Sequence, residues 1–220
     1  MTSDDSWDMS QPAGGTPEST PSLPPELGAR YQLESVLGRG GMGIVFAARD
    51  RATGRAVAIK LVLGELSAIR RKRFQREGEI TASLQHAGIV RVHSSGLAGG
   101  TPYLVYELVE GARELGEVFP TLDVPARVEL VRQAAEAVGY AHAQGVLHRD
   151  LKPANVLVDA TGAARVADFG LARARDDERL TRTGAMIGTP AYMAPELARG
   201  EHALAGPPCD VWSLGVLLYE

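Results

Sequence analysis

Two residue types are scarce in this chain, and each scarcity excludes something. A single cysteine, Cys209, in 220 residues rules out an intrachain disulfide framework and fits a reducing compartment. Of 23 basic residues only three are lysines, Lys60, Lys72 and Lys152, against 20 arginines. Where lysine persists against such a bias, a compact point charge is wanted in place of a planar fork. Positive charge is not in excess either. A formal charge of −4 gives no global reason to expect nucleic acid or an anionic membrane as partner, so any phosphate binding must be local. The first residues are acidic and polar with no apolar stretch, and no secretory signal is expected. The longest apolar run, 211–219, is far shorter than the roughly 20 residues that span a bilayer. A soluble, cytoplasmic chain with no membrane span is expected, although a longer parent protein could carry an anchor. An apolar fraction of 45% with 23% charged residues suits one sizeable domain or two small lobes with a buried core.

Residues 1–27 are rich in Ser, Thr, Pro, Gly and Asp and cannot bury enough surface to offset the entropy of ordering, so a disordered leader is expected. The folded domain is then 28–220. Short apolar alternations at 31–37, 43–49 and 55–62 read as strands separated by glycine-containing turns. A charged helical segment follows at 67–85, then two more strand-like runs at 89–94 and 103–109. Beyond the Glu110-Gly111 turn the apolar period lengthens, and 125–144 reads as a buried helix. Two short strands, 156–158 and 164–166, a long polar segment, 172–187, and a helix opening near Asp210 complete the order. Strands first and helices after argue for an α+β fold in two lobes, about 31–109 and 110–220, with a ligand cleft between them. The last helix stops in mid-pattern without a cap, so the second lobe is expected to be incomplete.

Chemistry concentrates at His148-Arg149-Asp150-Leu151-Lys152-Pro153-Ala154-Asn155, followed eighteen residues after Asp150 by Asp168-Phe169-Gly170. Moving a phosphoryl group needs a group to orient the incoming hydroxyl, cations for phosphate oxygens, and oxygen ligands for a divalent metal. Asp150, Lys152, Asn155 and Asp168 supply those parts. Singly, each has a plainer explanation as a capped loop, a solvated lysine, an Asx turn or a turn aspartate. Leu37-Gly38-Arg39-Gly40-Gly41-Met42-Gly43-Ile44-Val45 contains three glycines whose missing side chains let backbone amides approach phosphate. It leads into a strand and not a helix, which lowers a dinucleotide-binding reading. Val57-Ala58-Ile59-Lys60 ends an apolar strand on a lysine that needs an acidic partner if buried. Glu77 is the expected partner, with Glu79 on another side of the helix as competitor.

Taken together, these motifs resemble a eukaryotic-type (Hanks-type) serine/threonine protein kinase. The matching pieces are Gly38-x-Gly40-x-x-Gly43-x-Val45, Val57-Ala58-Ile59-Lys60, His148-Arg149-Asp150 with Asn155, Asp168-Phe169-Gly170, and Ala194-Pro195-Glu196. The wording of the glycine loop and of Gly188-Thr189-Pro190-Ala191-Tyr192-Met193 is similar to the bacterial branch. The resemblance covers residue 31 to the end and implies a two-lobed kinase-like fold, with the helical lobe incomplete.

The resemblance implies roles residue by residue. Gly38, Gly40 and Gly43 cover the ATP phosphates, Lys60 meets the α- and β-phosphates, and Glu77 holds Lys60. Asp168 and Asn155 hold Mg2+, with Mn2+ as a substitute. Asp150 orients or accepts the substrate hydroxyl, and Lys152 neutralises the transferring γ-phosphate. Leu37, Val45, Ala58 and Leu157 wall the adenine site, Glu107 and Val109 offer backbone hydrogen bonds, and Tyr106 stands at the rear, narrowing it. Lys152-Pro153 and Thr189 favour Ser or Thr hydroxyls of protein substrates as acceptors. Arg149 lacks an anion, which phosphate on Thr181 or Thr183 would supply, implying autophosphorylation and a dimer in which it occurs. Competing readings are a non-catalytic ATP-binding or scaffold module and a small-molecule phosphotransferase; the long threonine-bearing loop with Ala194-Pro195-Glu196 disfavours the latter.

Overall fold

The computed structural model describes residues 22–40, 43–62, 67–169 and 190–220. The first lobe is a five-stranded antiparallel sheet of β1 (Tyr31–Gly40), β2 (Gly43–Asp50), β3 (Ala56–Leu61), β4 (Val92–Ala98) and β5 (Thr101–Glu107). Its spatial order is β1-β2-β3-β5-β4. The glycine motif closes the β1–β2 hairpin, where Gly40 pairs with Gly43. Gly43 has φ 141°, and a Cβ there would sit 1.9 Å from the Leu61 carbonyl oxygen, so only glycine lets β2 pass this close to β3.

Alternation along β3 sorts its side chains. Val57, Ile59 and Leu61 join a core with Phe46, Tyr31 and Val105, while Ala58 and Lys60 face the opposite side of the sheet, as a period of two requires. Register then places Val45 and Leu104 beside Lys60, and Tyr106 beside Ala58. The expected strand at 89–94 is shifted, because the Val90 amide donates to the Val166 carbonyl of the other lobe. Ile89 therefore makes only an isolated bridge to Val166, and pairing with β5 begins at Val92.

Helix α2 (Ala68–Ala82) lies against β4. Phe74 and Thr81 are buried, and Gly78 lies between them on the same face. A Cβ on Gly78 would come within 2.4 Å of Ser95 Oγ. The roughly 1 kcal/mol that glycine costs inside a helix is therefore exchanged for close docking. Upstream, α1 (Pro25–Arg30) corrects the expected leader boundary at residue 27. Leu27 is buried in the β-sheet core with Tyr31, and its single apolar anchor was too little for composition to register.

The second lobe contains β6 (Arg113–Glu114), α3 (Leu115–Val118), α4 (Val124–Ala143), β7 (Val156–Val158), β8 (Ala164–Val166), α5 (Pro195–Ala198) and α6 (Pro207–Tyr219). Strands β6, β7 and β8 form a small antiparallel sheet. Asp123 caps α4 by accepting from the Ala126 amide at 3.0 Å, with proline in the first turn, the pairing of signals expected at a helix start. Leu130, Val131, Ala134, Ala137, Val138 and Ala141 form its buried stripe, so truncating Leu130 to alanine should cost about 2–5 kcal/mol. Among the described residues no helix is long and apolar enough to cross a membrane.

Candidate active site

The loop between α4 and β7 is fixed before any ligand is considered. Gly145, φ 75°, ends α4 in the left-handed conformation, and the amides of Gly145 and Val146 return to the His142 and Ala141 carbonyls. Arg149 also has positive φ, 65°, which costs a non-glycine residue on the order of 1–3 kcal/mol unless surroundings hold it. Asp210, in the first turn of α6, does so. Its fully buried carboxylate accepts the His148 amide at 2.8 Å and the Arg149 amide at 2.7 Å, and pairs with His142 Nε2 at 2.7 Å.

His148 ties this loop to the segment after β8 that carries Asp168. Its ring packs on Phe169 with centroids 4.8 Å apart. The Asp150 amide lies 3.3 Å from its Nδ1, and its Nε2 lies 2.8 Å from the Ala167 carbonyl. Since Nδ1 accepts from an amide and Nε2 faces a carbonyl, the tautomer that satisfies both carries its proton on Nε2. Two residues on, Lys152 Nζ donates to Asp150 Oδ2 at 2.9 Å. Asn155 Nδ2 donates to the Asp150 carbonyl at 2.6 Å, a bond that uses the amide nitrogen and not the amide oxygen.

Across the cleft, Lys60 Nζ is ion-paired with Asp168 Oδ2, and the Tyr106 hydroxyl donates to Asp168 Oδ1 at 2.7 Å. Burial alone would raise the Asp168 carboxyl, but the Lys60 ammonium, its hydrogen bond and that of Tyr106 outweigh it and hold the group below the usual carboxylate value. Burial chiefly, and then the neighbouring carboxylate, push the Tyr106 phenol well above its ordinary value, so it remains a donor. Asp168 has φ 63°, in the left-handed region where aspartate is among the more tolerated residues.

These groups border a cavity of about 610 Å³, within the range of small-molecule sites. Its walls include Leu37, Gly38, Val45, Ala58 and Leu157, with Tyr106, Lys60 and Asp168 at the rear. Glu107, Leu108 and Val109 form the strip joining the lobes. The Glu107 carboxylate is committed to the Arg91 amide at 3.0 Å and to the Arg165 guanidinium, so what Glu107 offers the cavity is backbone. Gly40 and Gly43 lie in the overlying hairpin and not in the wall.

One expected pairing is not the one formed. Lys60 is paired with Asp168, whereas Glu77 lines a separate cavity of about 120 Å³ beside Thr81, Val146 and Arg149. The physical reason is the docking of α2: with Phe74 packed against Val92 and Leu104 and Gly78 against Ser95, Glu77 falls on the side of the helix that faces Val146 and Arg149, next to Thr81, whose hydroxyl meets the Phe169 carbonyl. Gly170, Thr181, Thr183, Thr189 and the arginines between 173 and 182 lie outside the described residues, as does the expected polar segment 172–187.

A sequence profile described as "Protein kinase domain" matches residues 31–220. The chain belongs to the protein kinase domain family. Within the family it is 42% identical over 208 residues to "Serine/threonine-protein kinase PknB" of Mycobacterium leprae, covering 90% of this chain and 33% of that protein. It is 40% identical over 211 residues to "Serine/threonine-protein kinase PknA" of Mycobacterium tuberculosis, covering 91% of this chain and 48% of that protein. The crystal structure of the Mycobacterium tuberculosis PknI kinase domain superposes with a TM-score of 0.70 at 28% identity, covering 86% of this chain and 73% of that one. The bacterial Hanks-type resemblance and the two-lobed α+β fold read from the motifs are thus supported. The chain spans between a third and a half of the length of these two curated relatives.

Two groups of this kinase domain that matter to the site were not singled out from sequence, and a third was placed without its bond. Asp210 was visible only as an acid opening an apolar helix, which reads equally well as a solvated first-turn charge. His142 carried the signal of a histidine in the last turn of α4 and nothing more. Tyr106 was assigned to the rear of the cleft, but its bond to Asp168 depends on a distance across two lobes that no local pattern encodes.

Proposed function

We propose that this kinase domain transfers the γ-phosphoryl group of ATP, with Mg2+, to serine or threonine hydroxyls of proteins. The observation that carries the reading is that Lys60 and Asp168 line a cavity of nucleotide size, while the loop of Asp150, Lys152 and Asn155 is tied to the residue before Asp168, the Ala167 amide donating to the Asn155 carbonyl at 2.9 Å and the His148 ring meeting the Ala167 carbonyl at 2.8 Å. Asp150 Oδ2, oriented by Lys152, accepts the hydrogen of the incoming hydroxyl and aligns its oxygen for in-line attack. Alignment of the hydroxyl oxygen is the contribution that Asp150 makes in this reading. Lys152 then meets the negative charge of the group being transferred.

The residues fit a divalent cation of oxygen-ligand type. Asp168 contributes a carboxylate, and Asn155 contributes an amide oxygen because its nitrogen is spent on the Asp150 carbonyl. Among the described residues no cluster of three or more His, Cys, Asp or Glu side chains could hold a metal, so the remaining ligands would be phosphate and water. When bound, Mg2+, or Mn2+ in its place, supplies charge neutralisation of the phosphates. The adenine ring rests between Val45, Ala58 and Leu157, with backbone hydrogen bonds from Glu107 and Val109.

Regulation belongs to the same reading. The Arg149 Nε atom is buried with no hydrogen-bond partner among the described residues, and an anion there would relieve a costly buried donor. Phosphate on Thr181 or Thr183, placed by a second copy of the chain in a transient dimer, meets that need. Thr189 serves the substrate loop, and the domain works in the cytoplasm.

The test is transfer of radiolabelled phosphate from ATP to a generic basic protein by the wild type and by Asp150→Asn. Transfer by the first and none by the second is expected. Nucleotide binding without transfer by the wild type would replace this reading with a non-catalytic nucleotide-binding module. Mass spectrometry after incubation with Mg-ATP should find phosphate on Thr181 or Thr183. Unchanged activity in the Thr181→Ala/Thr183→Ala double variant would sink the regulatory part.

A further inference from the structure

Both oxygens of the Asp168 carboxylate are already engaged, and by different strands of the other lobe. Lys60 of β3 holds Oδ2 and Tyr106 of β5 holds Oδ1. The two partners serve unequal ends. An ammonium on a flexible stem can turn toward incoming phosphates, as the kinase reading requires of Lys60. Tyr106 cannot leave so easily. It is buried, it packs with Phe74, Val92 and Leu104, and its strand register beside Ala58 fixes the direction of the ring. Within the described residues its hydroxyl has Asp168 as hydrogen-bond partner, and a buried hydroxyl that loses its partner is costly. Phenylalanine would fill the same space, so what tyrosine adds here is the hydroxyl.

We propose that Tyr106 is a latch on Asp168, whose phenol competes with the divalent cation for the carboxylate after Lys60 has turned to the nucleotide. A cation on either oxygen withdraws the negative charge to which the phenol is bonded, and it needs an oxygen at about 2.0–2.1 Å in near-ideal geometry. A cation held by Asp168 would draw on the same carboxylate charge that holds the Tyr106 hydroxyl, so each would weaken the other. Tyr106 acts here as a positioning residue for metal loading, and the inference rests on Asp168 being a metal ligand.

The experiment titrates Mn2+ into purified protein saturated with a non-hydrolysable ATP analogue and follows bound Mn2+ by electron paramagnetic resonance. Tyr106→Phe should tighten Mn2+ binding about tenfold, the size of one hydrogen bond to a charged group. Its affinity for the analogue without metal is measured alongside, and the gain in Mn2+ binding must exceed any change found there. Tyr106→Met also lacks the hydroxyl and must show the same gain; a gain in only one variant would assign the effect to packing and overturn the latch. Unchanged or weaker Mn2+ binding in Tyr106→Phe overturns it as well. Asp168→Asn, run in parallel, separates the two levels. Loss of the Mn2+ site there without a gain in Tyr106→Phe removes the latch alone, whereas Mn2+ binding unaffected by Asp168→Asn removes the metal-ligand reading and the latch with it.

Discussion

In the loop 145–155 the functional side chains are held by backbone groups and by one buried acid, whereas across the cleft Lys60 and Asp168 are held by side chains from opposite lobes. Asp210 fixes two successive amides, His148 bridges to the Ala167 carbonyl, and Asn155 binds the Asp150 carbonyl. Little in that loop must move for Asp150 to meet a hydroxyl. On the facing wall, Lys60 and Tyr106 occupy the oxygens that a cation would take. Each charge there satisfies the other until a ligand replaces the pair. The difference teaches that one half of the site is preorganised and the other is self-neutralised, which avoids the cost of leaving a buried charge unpaired.

The comparison breaks most severely at Asp210. Asp210→Ala strands two buried amides and the His142 ring and releases the strained Arg149 backbone. Urea unfolding should report a loss of about 3–5 kcal/mol. A loss below about 1 kcal/mol would mean that the loop is held by its own sequence.

Lys152→Ala should reduce the rate of phosphoryl transfer by about 10²–10³-fold, the usual cost of removing one positioned charge or donor. The unfolding midpoint should move less than in Asp210→Ala, because the Lys152–Asp150 side chains keep 15% and 18% of their surface in solvent whereas Asp210 keeps none. Lys152→Arg should not restore the rate, since a planar fork cannot replace a point charge in this loop; full recovery would remove the meaning given to lysine scarcity.

The smallest effect concerns Lys60→Met, and it changes a sign. In the wild type the Asp168 carboxyl is held below its ordinary value. Its contribution to stability is therefore full above about pH 4 and lost as pH falls through the lower folded value. Without Lys60, burial is the largest influence left, and the folded carboxyl should move above its ordinary value. Its contribution should then be full below about pH 4 and lost as pH rises through the folded value. Urea midpoints of the two proteins between about pH 3 and 6 should slope in opposite senses. Parallel slopes would show that Tyr106 alone keeps Asp168 ionised.

Much of the fold was legible because its periodicities are local. The alternation at 55–62 and the apolar stripe at 125–144 correspond to β3 and α4. The start of β4 was not, since a bond from Val90 to the other lobe decides it. Helix α1 escaped for a related reason: its stability comes from Leu27 meeting a sheet whose residues lie far along the chain. At the site, Asp150, Lys152 and Asn155 were readable because they fall within six residues of one another and must interact. The Lys60–Glu77 pairing was not. It depends on the rotation of α2, and Gly78 against Ser95 sets that rotation.

The sequence by itself determined which chemistry this chain can carry: ordered motifs of fixed spacing, a glycine hairpin, and lysine retained at Lys60 and Lys152 in a chain that otherwise uses arginine. Tertiary structure alone decided which partners those groups have. Whether Asp168 faces Lys60, Tyr106 or Glu77, and whether Arg149 can hold a left-handed backbone, depends on contacts between residues 60 to 110 positions apart. Such contacts follow from how α2 docks on the sheet and how Asp210 enters the second lobe. A short-range pattern carries no information about either, because the energies involved arise only when groups far apart in the chain are brought into contact and buried.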